Sequence, residues 1–324
     1  MVASSSKALC LVLLLASMAS AFAADAPSIT TSFTAFWSAA ERQPFLQQEA
    51  AWNRDIEAPR RDIYDAVVWE KQHDQYWQAR RQIWLRGRFA RYPELAAGIP
   101  AEVRALQDAI AKQSARFKTL FPDADPHPPV TILLAPNFDA KSGVLRNGKP
   151  VLAFAADSLL LEHAQLDIVV PHELFHLYHA QHARIRNDGV MSDAELTLPL
   201  FEEGLATYVS GELAPGHTDS ELLLQDDLGN LPSEKLPVIA GRFLGDARAK
   251  AIDVQHPEVF ARWFHAAARP YQPDLPNRTG YWLGLQLIRY LRRSHSLAEI
   301  TAWSPAEAQA HTLEALRQVA SKSE

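Results

Sequence analysis

Cysteine is almost absent from this chain of 324 residues, whose one cysteine, Cys10, lies in an apolar stretch near the N-terminus. A disulfide needs two such side chains, so a disulfide framework is excluded and stability must come from an ordinary hydrophobic core. Catalysis by a thiol is excluded for the remainder of the chain on the same ground.

Long apolar runs are also missing. The stretch at residues 8–16 is too short to span a bilayer as a helix. It follows the single charge of Lys7 and precedes Ala-Phe-Ala at residues 21–23, the small-residue pattern that signal peptidase cleaves. We therefore expect residues 1–24 to be a signal peptide, with export to the periplasm or the extracellular space. No membrane association is expected after its removal.

Blocks of basic residues are lacking as well, and the formal net charge of -6 is modest. The densest arginine cluster, residues 80–91, alternates with Trp84, Leu85 and Phe89. That alternation is typical of the solvated face of an amphipathic helix. We therefore expect no nucleic-acid partner.

The chain changes character near residue 125. Residues 33–121 show helical spacing of apolar and aromatic positions, and residues 122–129 form a proline-rich, acidic break. This pattern predicts an N-terminal helical subdomain over residues 25–125 and a second domain over residues 126–324. Tryptophans are concentrated in the first part, where packing in a core is their expected use. They are Trp37, Trp52, Trp69, Trp77 and Trp84.

Strands are few in the predicted second domain. Residues 130–134 and 151–154 are short apolar runs, and Asn147-Gly148 before the second run is a hairpin signal. Helical patterning returns from Leu159 and includes a strong helix at residues 281–293. These features predict an α+β fold that is mostly helical, with a small sheet.

One helical segment carries the pattern of a metal site. In DIVVPHELFHLYHAQ, residues 167–181, His172 and His176 are four residues apart and therefore lie on one helix face. Glu173 lies beside them, where its carboxylate can take a proton from a water in the open position of a zinc ion. Pro171 is compatible with this helix if Asp167 is the N-cap and Pro171 falls in the first turn.

A second segment, LFEEGLATYVS at residues 200–210, makes a resemblance apparent. Together, HELFHLY and FEEGLATYV resemble the gluzincin pattern of thermolysin and especially of the neutral zinc aminopeptidases. They are also similar to predicted zinc-dependent protease families of unknown function. The resemblance implies a peptidase with one zinc per chain, in which Glu203 rather than Glu202 is the third ligand. It also implies that Gly204 and Ala206 keep this helix thin enough to pack against the helix of the two histidines.

The same resemblance extends to Tyr281 and Gly284, which match a Tyr-x-x-Gly at a helix start in the aminopeptidases. There the phenol stabilises the oxyanion, and His217 is the thermolysin-like alternative for this role. The stretch VLAFAAD at residues 151–157 lacks the Gly-x-Met-x-Asn segment that holds a substrate amino group in those enzymes. Aminopeptidase specificity is therefore not implied.

Two other interpretations compete. In a metzincin pattern His182 would be the third ligand, but that pattern has a glycine where this chain has His179, so both histidines are expected to be exposed. A noncatalytic secreted binding protein with structural zinc would normally need four protein ligands.

For an enzyme, the partner is a peptide or protein substrate, which we expect to pair with an edge strand at residues 151–154 beside the metal. The sequence does not indicate an oligomeric state.

Overall fold

The computed structural model describes residues 27–71, 75–182, 194–251, 253, 255–266, 268 and 270–321. The expected signal peptide at residues 1–24 lies outside these ranges. None of the helices in the described ranges is both long enough and apolar enough to span a membrane.

Helices form most of the described structure, as the sequence predicts. The α-helices are α1 (Ile29–Ala40), α2 (Phe45–Trp52), α3 (Arg61–Ile63), α4 (Trp77–Leu95), α5 (Ile99–Leu120), α6 (Ala156–Glu162), α7 (Leu166–His182), α8 (Thr197–Leu213), α9 (Asp219–Leu222), α10 (Asp226–Gly229), α11 (Leu236–Asp246), α12 (Pro257–Phe264), α13 (Thr279–Leu291), α14 (Leu297–Thr301) and α15 (Pro305–Ala320). Short π and 3-10 segments are Asn53–Glu57, Ala58–Arg60, Tyr64–Val68 and Ser233–Lys235.

Within the described residues the sheet has three strands, β1 (Val130–Leu133), β2 (Ala140–Val144) and β3 (Pro150–Ala155). Their order is β1-β3-β2, with β1 parallel and β2 antiparallel to β3. The Asn147-Gly148 hairpin is confirmed, since Gly148 adopts a φ of 79° in the turn between β2 and β3. The expectation that residues 151–154 form an edge strand is wrong, because β3 is paired on both sides. The edges are β1 and β2.

The N-terminal helices pack their aromatic side chains together, as expected. Phe36 and Trp52 are fully buried, and their rings meet edge to face at 5.3 Å between centroids. This cluster is continuous with the core of the later residues. It is also tied to them by the Tyr64 hydroxyl, which donates to the Leu134 carbonyl at 2.6 Å. The loop between α5 and β1 coincides with the expected boundary near residue 125, and the division into two domains stays a prediction.

The arginine cluster on α4 is not wholly solvated, contrary to the interpretation of its pattern. Arg81 and Arg88 are buried. Arg81 pairs with Glu57 at 2.8 Å and also with Glu49. Arg88 donates to the Asp157 carbonyl at 2.9 Å and to other oxygens nearby. Burial of a guanidinium is tolerated because such partners replace its hydration.

Helix α7 begins at Leu166, so Asp167 lies inside its first turn and is not the N-cap that the sequence analysis assigned. Pro171 then falls in the second turn, where its missing N–H leaves the Asp167 carbonyl without a helical donor. The side-chain amide of the buried Gln113, on α5, donates to this carbonyl at 3.2 Å. A proline inside the helix is therefore accommodated by a hydrogen bond from a neighbouring helix.

Helices α8 and α13 approach so closely that their backbones touch. A Cβ built on Gly284 would overlap the Leu200 carbonyl oxygen and lie 2.9 Å from the Gly204 Cα. Gly204 therefore faces α13, and the expectation that it thins α8 for packing against α7 is wrong. The two glycines hold α8 and α13 at a separation that no other residue type permits.

This crossing leads to a prediction about stability. Gly284→Ala should lower the free energy of unfolding by at least about 1–3 kcal/mol, because the methyl group overlaps backbone that cannot rotate away. The control is Gly87→Ala on α4, where nothing lies within 4 Å of an added Cβ. That exposed helix position should gain about 0.5–1 kcal/mol. Urea unfolding of both variants checks the prediction, and equal effects would contradict it.

Candidate metal centre

The two histidines of the HELFH segment lie one above the other on α7. Their ring centroids are 4.7 Å apart, and the two Nε2 atoms are 3.0 Å apart. Apolar neighbours on both sides of the pair, among them Val169, Leu174 and Phe175, are buried. The helix is therefore held in the core, which fixes the direction of both imidazoles.

Helix α8 brings Glu203 to the same point. Its Oε2 atom lies 3.3 Å from His172 Nε2 and 3.4 Å from His176 Nε2. Two ligand atoms of a tetrahedral zinc ion with bonds of 2.0–2.1 Å are about 3.3 Å apart, so the three atoms fit around one such ion. Within the described ranges this is the one group of three His, Cys, Asp or Glu ligands that lie close enough for a metal.

The charges at this point favour a cation. Burial opposes ionisation of Glu203, but the positive charge of His176 and hydrogen bonds from both histidines hold its pKa well below the ordinary value. Burial likewise opposes a charge on His176, yet the Glu203 carboxylate overrides this and raises the pKa of His176 to about 9. The Glu203 carboxylate thus stabilises a positive charge on His176, and a bound metal ion would take the place of that proton.

Glu173 lines the same cleft as the three candidate ligands. Burial raises the pKa of its carboxyl, while the neighbouring histidines act in the opposite direction. A carboxylate whose pKa is raised towards neutrality is a better proton acceptor than an ordinary surface glutamate.

Of the two candidates for stabilising an oxyanion, the structure brings Tyr281 into the cleft. Burial raises the pKa of the Tyr281 phenol, and the nearby Glu203 charge raises it further, so the hydroxyl keeps its proton. His217 is not among the described residues that line the cleft. Its ring pairs with Asp167 at 2.9 Å and with Glu221 at 3.5 Å.

The histidines after the HELFH segment do not join the triad. His182 is exposed, as expected, and its Nε2 lies 3.1 Å from Asp123. His179 was expected to be exposed, but it is buried with 2% of its surface accessible and stacks on Phe175 at 5.2 Å. The helix continues past His179 to His182, because His179 packs in the core and no glycine ends α7 at that point. The geometry therefore brings Glu203, and not His182, to His172 and His176.

A cleft of about 580 Å³ surrounds the triad. One wall is the start of the edge strand β2, with Asp139, Lys141 and Ser142 among its lining residues. Two buried polar atoms of other lining residues, Glu202 Oε1 and His179 Nε2, have no hydrogen-bond partner. Burial raises the pKa of Glu202 to about 7. Such atoms can accept hydrogen bonds from a bound molecule or from water.

Sequence reasoning missed two features of this cleft. Strand β2 reads AKSGV, which has neither an apolar run nor alternation, and its residues are all partly buried. Arg278, which also lines the cleft, is a single arginine in a loop. The nearby Tyr-x-x-Gly fragment was the one signal that could have drawn attention to it.

Comparisons of this chain with protein-family models, with curated proteins and with solved structures found no match.

Proposed function

We propose that this chain is an exported zinc-dependent hydrolase that cleaves peptide bonds, with His172, His176 and Glu203 as the ligands of one zinc ion. The observation that carries the proposal is the spacing of 3.0–3.4 Å among the three ligand atoms, with Glu173 in the same cleft. A His₂Glu set is one that catalytic zinc sites use, with an open position for water or substrate. A gluzincin-like arrangement of the domain is part of the proposal.

The chemistry follows from the donor set. When bound, zinc polarises the substrate carbonyl and lowers the pKa of water to about 7. Glu173 accepts the proton of the attacking water and then delivers it to the leaving amine. The Tyr281 hydroxyl, which stays protonated, donates a hydrogen bond to the oxyanion that develops on the former carbonyl.

Strand β2 supports an extended peptide as the substrate. Among the described strands it pairs with β3 alone, which makes it an edge strand, and it lines the cleft from Ala140 to Ser142. A peptide strand that adds to this edge gains main-chain hydrogen bonds without regard to its side chains. It would then pass the triad with one of its carbonyl groups within reach.

The metal assignment yields the first prediction for this site. Purified protein should contain one zinc per chain, and His176→Ala or Glu203→Ala should weaken zinc binding more than about 100-fold, since even outer-shell changes cost 10–100-fold. His182→Ala is the control and should retain zinc, because both of its ring nitrogens already have partners. Elemental analysis and competition with a chelator measure the effect. Zinc loss in His182→Ala, with retention in Glu203→Ala, would assign a metzincin set instead.

The role of Glu173 gives the second. Glu173→Gln should retain zinc, but its hydrolysis of a mixed peptide library should fall by about 10²–10⁴-fold, because the general base is gone. Mass spectrometry of the library, with and without a chelator, measures cleavage by both proteins. A wild-type protein that binds zinc but cleaves nothing would favour the noncatalytic binding protein.

Tyr281 gives the third. Tyr281→Phe should bind zinc and substrate normally, while kcat falls by about 10²–10³-fold with little change in KM, because the lost donor acts only in the transition state. The control is Tyr290→Phe on the same helix, whose hydroxyl donates to Gln318 at 2.6 Å. An unchanged kcat in Tyr281→Phe would show that the ring only packs.

A further inference from the structure

Arg278 has an unusual backbone conformation at the mouth of the candidate site. It precedes α13 as the N-cap residue, with φ 58° and ψ 25°, in the left-handed region. A residue other than glycine is uncommon there, and such conformations concentrate at functional sites. The backbone conformation therefore indicates a role for the Arg278 side chain.

The guanidinium group of Arg278 lies over the Tyr281 ring, with its Cζ 4.2 Å from the ring centroid. Stacking of this kind orients the planar group, and one side-chain hydrogen bond joins Arg278 to the Tyr281 hydroxyl. The remaining N–H donors of the guanidinium are available to another acceptor. The described carboxylates form no direct ion pair with Arg278, although the charge of Glu162 is near enough to interact with it. By contrast, Arg289 and Arg242 each donate two hydrogen bonds to an aspartate.

Arg278 is also exceptional among the charges of the cleft. The described lining residues include Asp139, Glu173, Glu202 and Glu203, all acidic. The other lysine or arginine in the lining is Lys141, which pairs with Glu70 at 2.8 Å and so has a carboxylate already. Among the described residues that line the cleft, Arg278 is therefore the lysine or arginine that forms no ion pair with a carboxylate.

We infer that Arg278 binds a carboxylate group of the peptide substrate, which its planar fork can hold through two parallel hydrogen bonds. The inference rests on the proposed peptidase function and names the substrate class for it. Tyr281 contacts Arg278 and is near enough to Glu203 for its hydroxyl to interact with that charge. The bound carboxylate therefore belongs to a residue near the scissile bond. It is either the C-terminal carboxylate or the side chain of Asp or Glu.

Three matched peptides distinguish these sources. The first is acetyl-Ala-Ala-Phe-Leu-Ala with a free C-terminus, the second is its C-terminal amide, and the third is an amide that ends in Glu instead of Ala. Versions shortened or lengthened by one residue after Leu vary the distance from the cleaved bond to the carboxylate. For each peptide kcat and KM are measured with wild-type protein and with variants.

The variants are chosen to preserve the fold. Arg278→Asn removes the charge while keeping a residue type that tolerates the left-handed conformation, and Arg278→Lys keeps the charge but loses the fork. The control is Arg293→Asn, since Arg293 also lies over a tyrosine ring, that of Tyr290 at 5.5 Å, but outside the cleft. Circular dichroism and zinc content confirm that each variant is folded.

Wild-type protein should prefer one carboxylate-bearing peptide over the plain amide by about tenfold to a hundredfold in kcat/KM, as expected for a charge-assisted bidentate contact. Arg278→Asn should abolish this preference, Arg278→Lys should keep part of it, and Arg293→Asn should keep all of it. The preference is measured in each protein as the ratio of kcat/KM for the carboxylate-bearing peptide to kcat/KM for the amide. Preference for the free C-terminus identifies a carboxypeptidase-type enzyme, and preference for the Glu peptide identifies an acidic side-chain subsite. An equal loss of kcat/KM for all three peptides in Arg278→Asn would overturn the inference, because Arg278 would then only offset the negative charge of the cleft.

Binding separates this inference from the proposed activity. Calorimetric titration of the same peptides into Glu173→Gln, and into Glu173→Gln combined with Arg278→Asn, does not require hydrolysis. If the wild-type protein cleaves none of the peptides, the peptidase is refuted. The inference still stands in that case if Glu173→Gln prefers a carboxylate-bearing peptide and the preference is lost with Arg278→Asn. Equal binding of all three peptides to Glu173→Gln would refute the inference alone.

Discussion

The contact between Gly204 and Gly284 is the constraint on which the candidate site depends. Because neither residue has a Cβ, α8 and α13 cross with their backbones in contact. Glu203 directly precedes the first glycine, and Tyr281 lies almost one helical turn before the second. The close crossing therefore brings a carboxylate from one helix and a phenol from the other into one cleft. A larger residue at either position would separate the Glu203 carboxylate from the Tyr281 hydroxyl.

Helix α7 supplies the rest of the site, and its burial has an electrostatic consequence. The helix is apolar on nearly every side, so His172, His176 and Glu173 enter a poorly solvated region. Each ionised group there is stabilised chiefly by its neighbours. For this reason the pKa of Glu203 is lowered while the pKa of His176 is raised. The same lack of solvent strengthens any interaction with a cation at the triad.

The sequence predicted well what depends on local spacing. Periodicity and short motifs predicted the i, i+4 histidines, the aromatic packing of the N-terminal helices, and strands β1 and β3. Glu203 was expected from the resemblance to the gluzincins. It failed where partners are distant along the chain. The position of β3 between β1 and β2, the partner of Gly204 and the burial of His179 depend on tertiary packing, which local patterns do not encode. Strand β2 was missed because its polar residues form an edge rather than a core.

The hydrogen bond from Gln113 to the Asp167 carbonyl has a consequence for how the protein is made. The proline at position 171 leaves the Asp167 carbonyl of α7 without a helical donor, and Gln113 of α5 supplies one. Phe117 and Phe121, from the end of α5 and just beyond it, also pack on Tyr178 of α7, at 5.5 and 4.7 Å between centroids. Chains are synthesised from the N-terminus, so α5 leaves the ribosome before α7. The helix that carries the two histidines thus emerges when the segment that completes its backbone has already been synthesised.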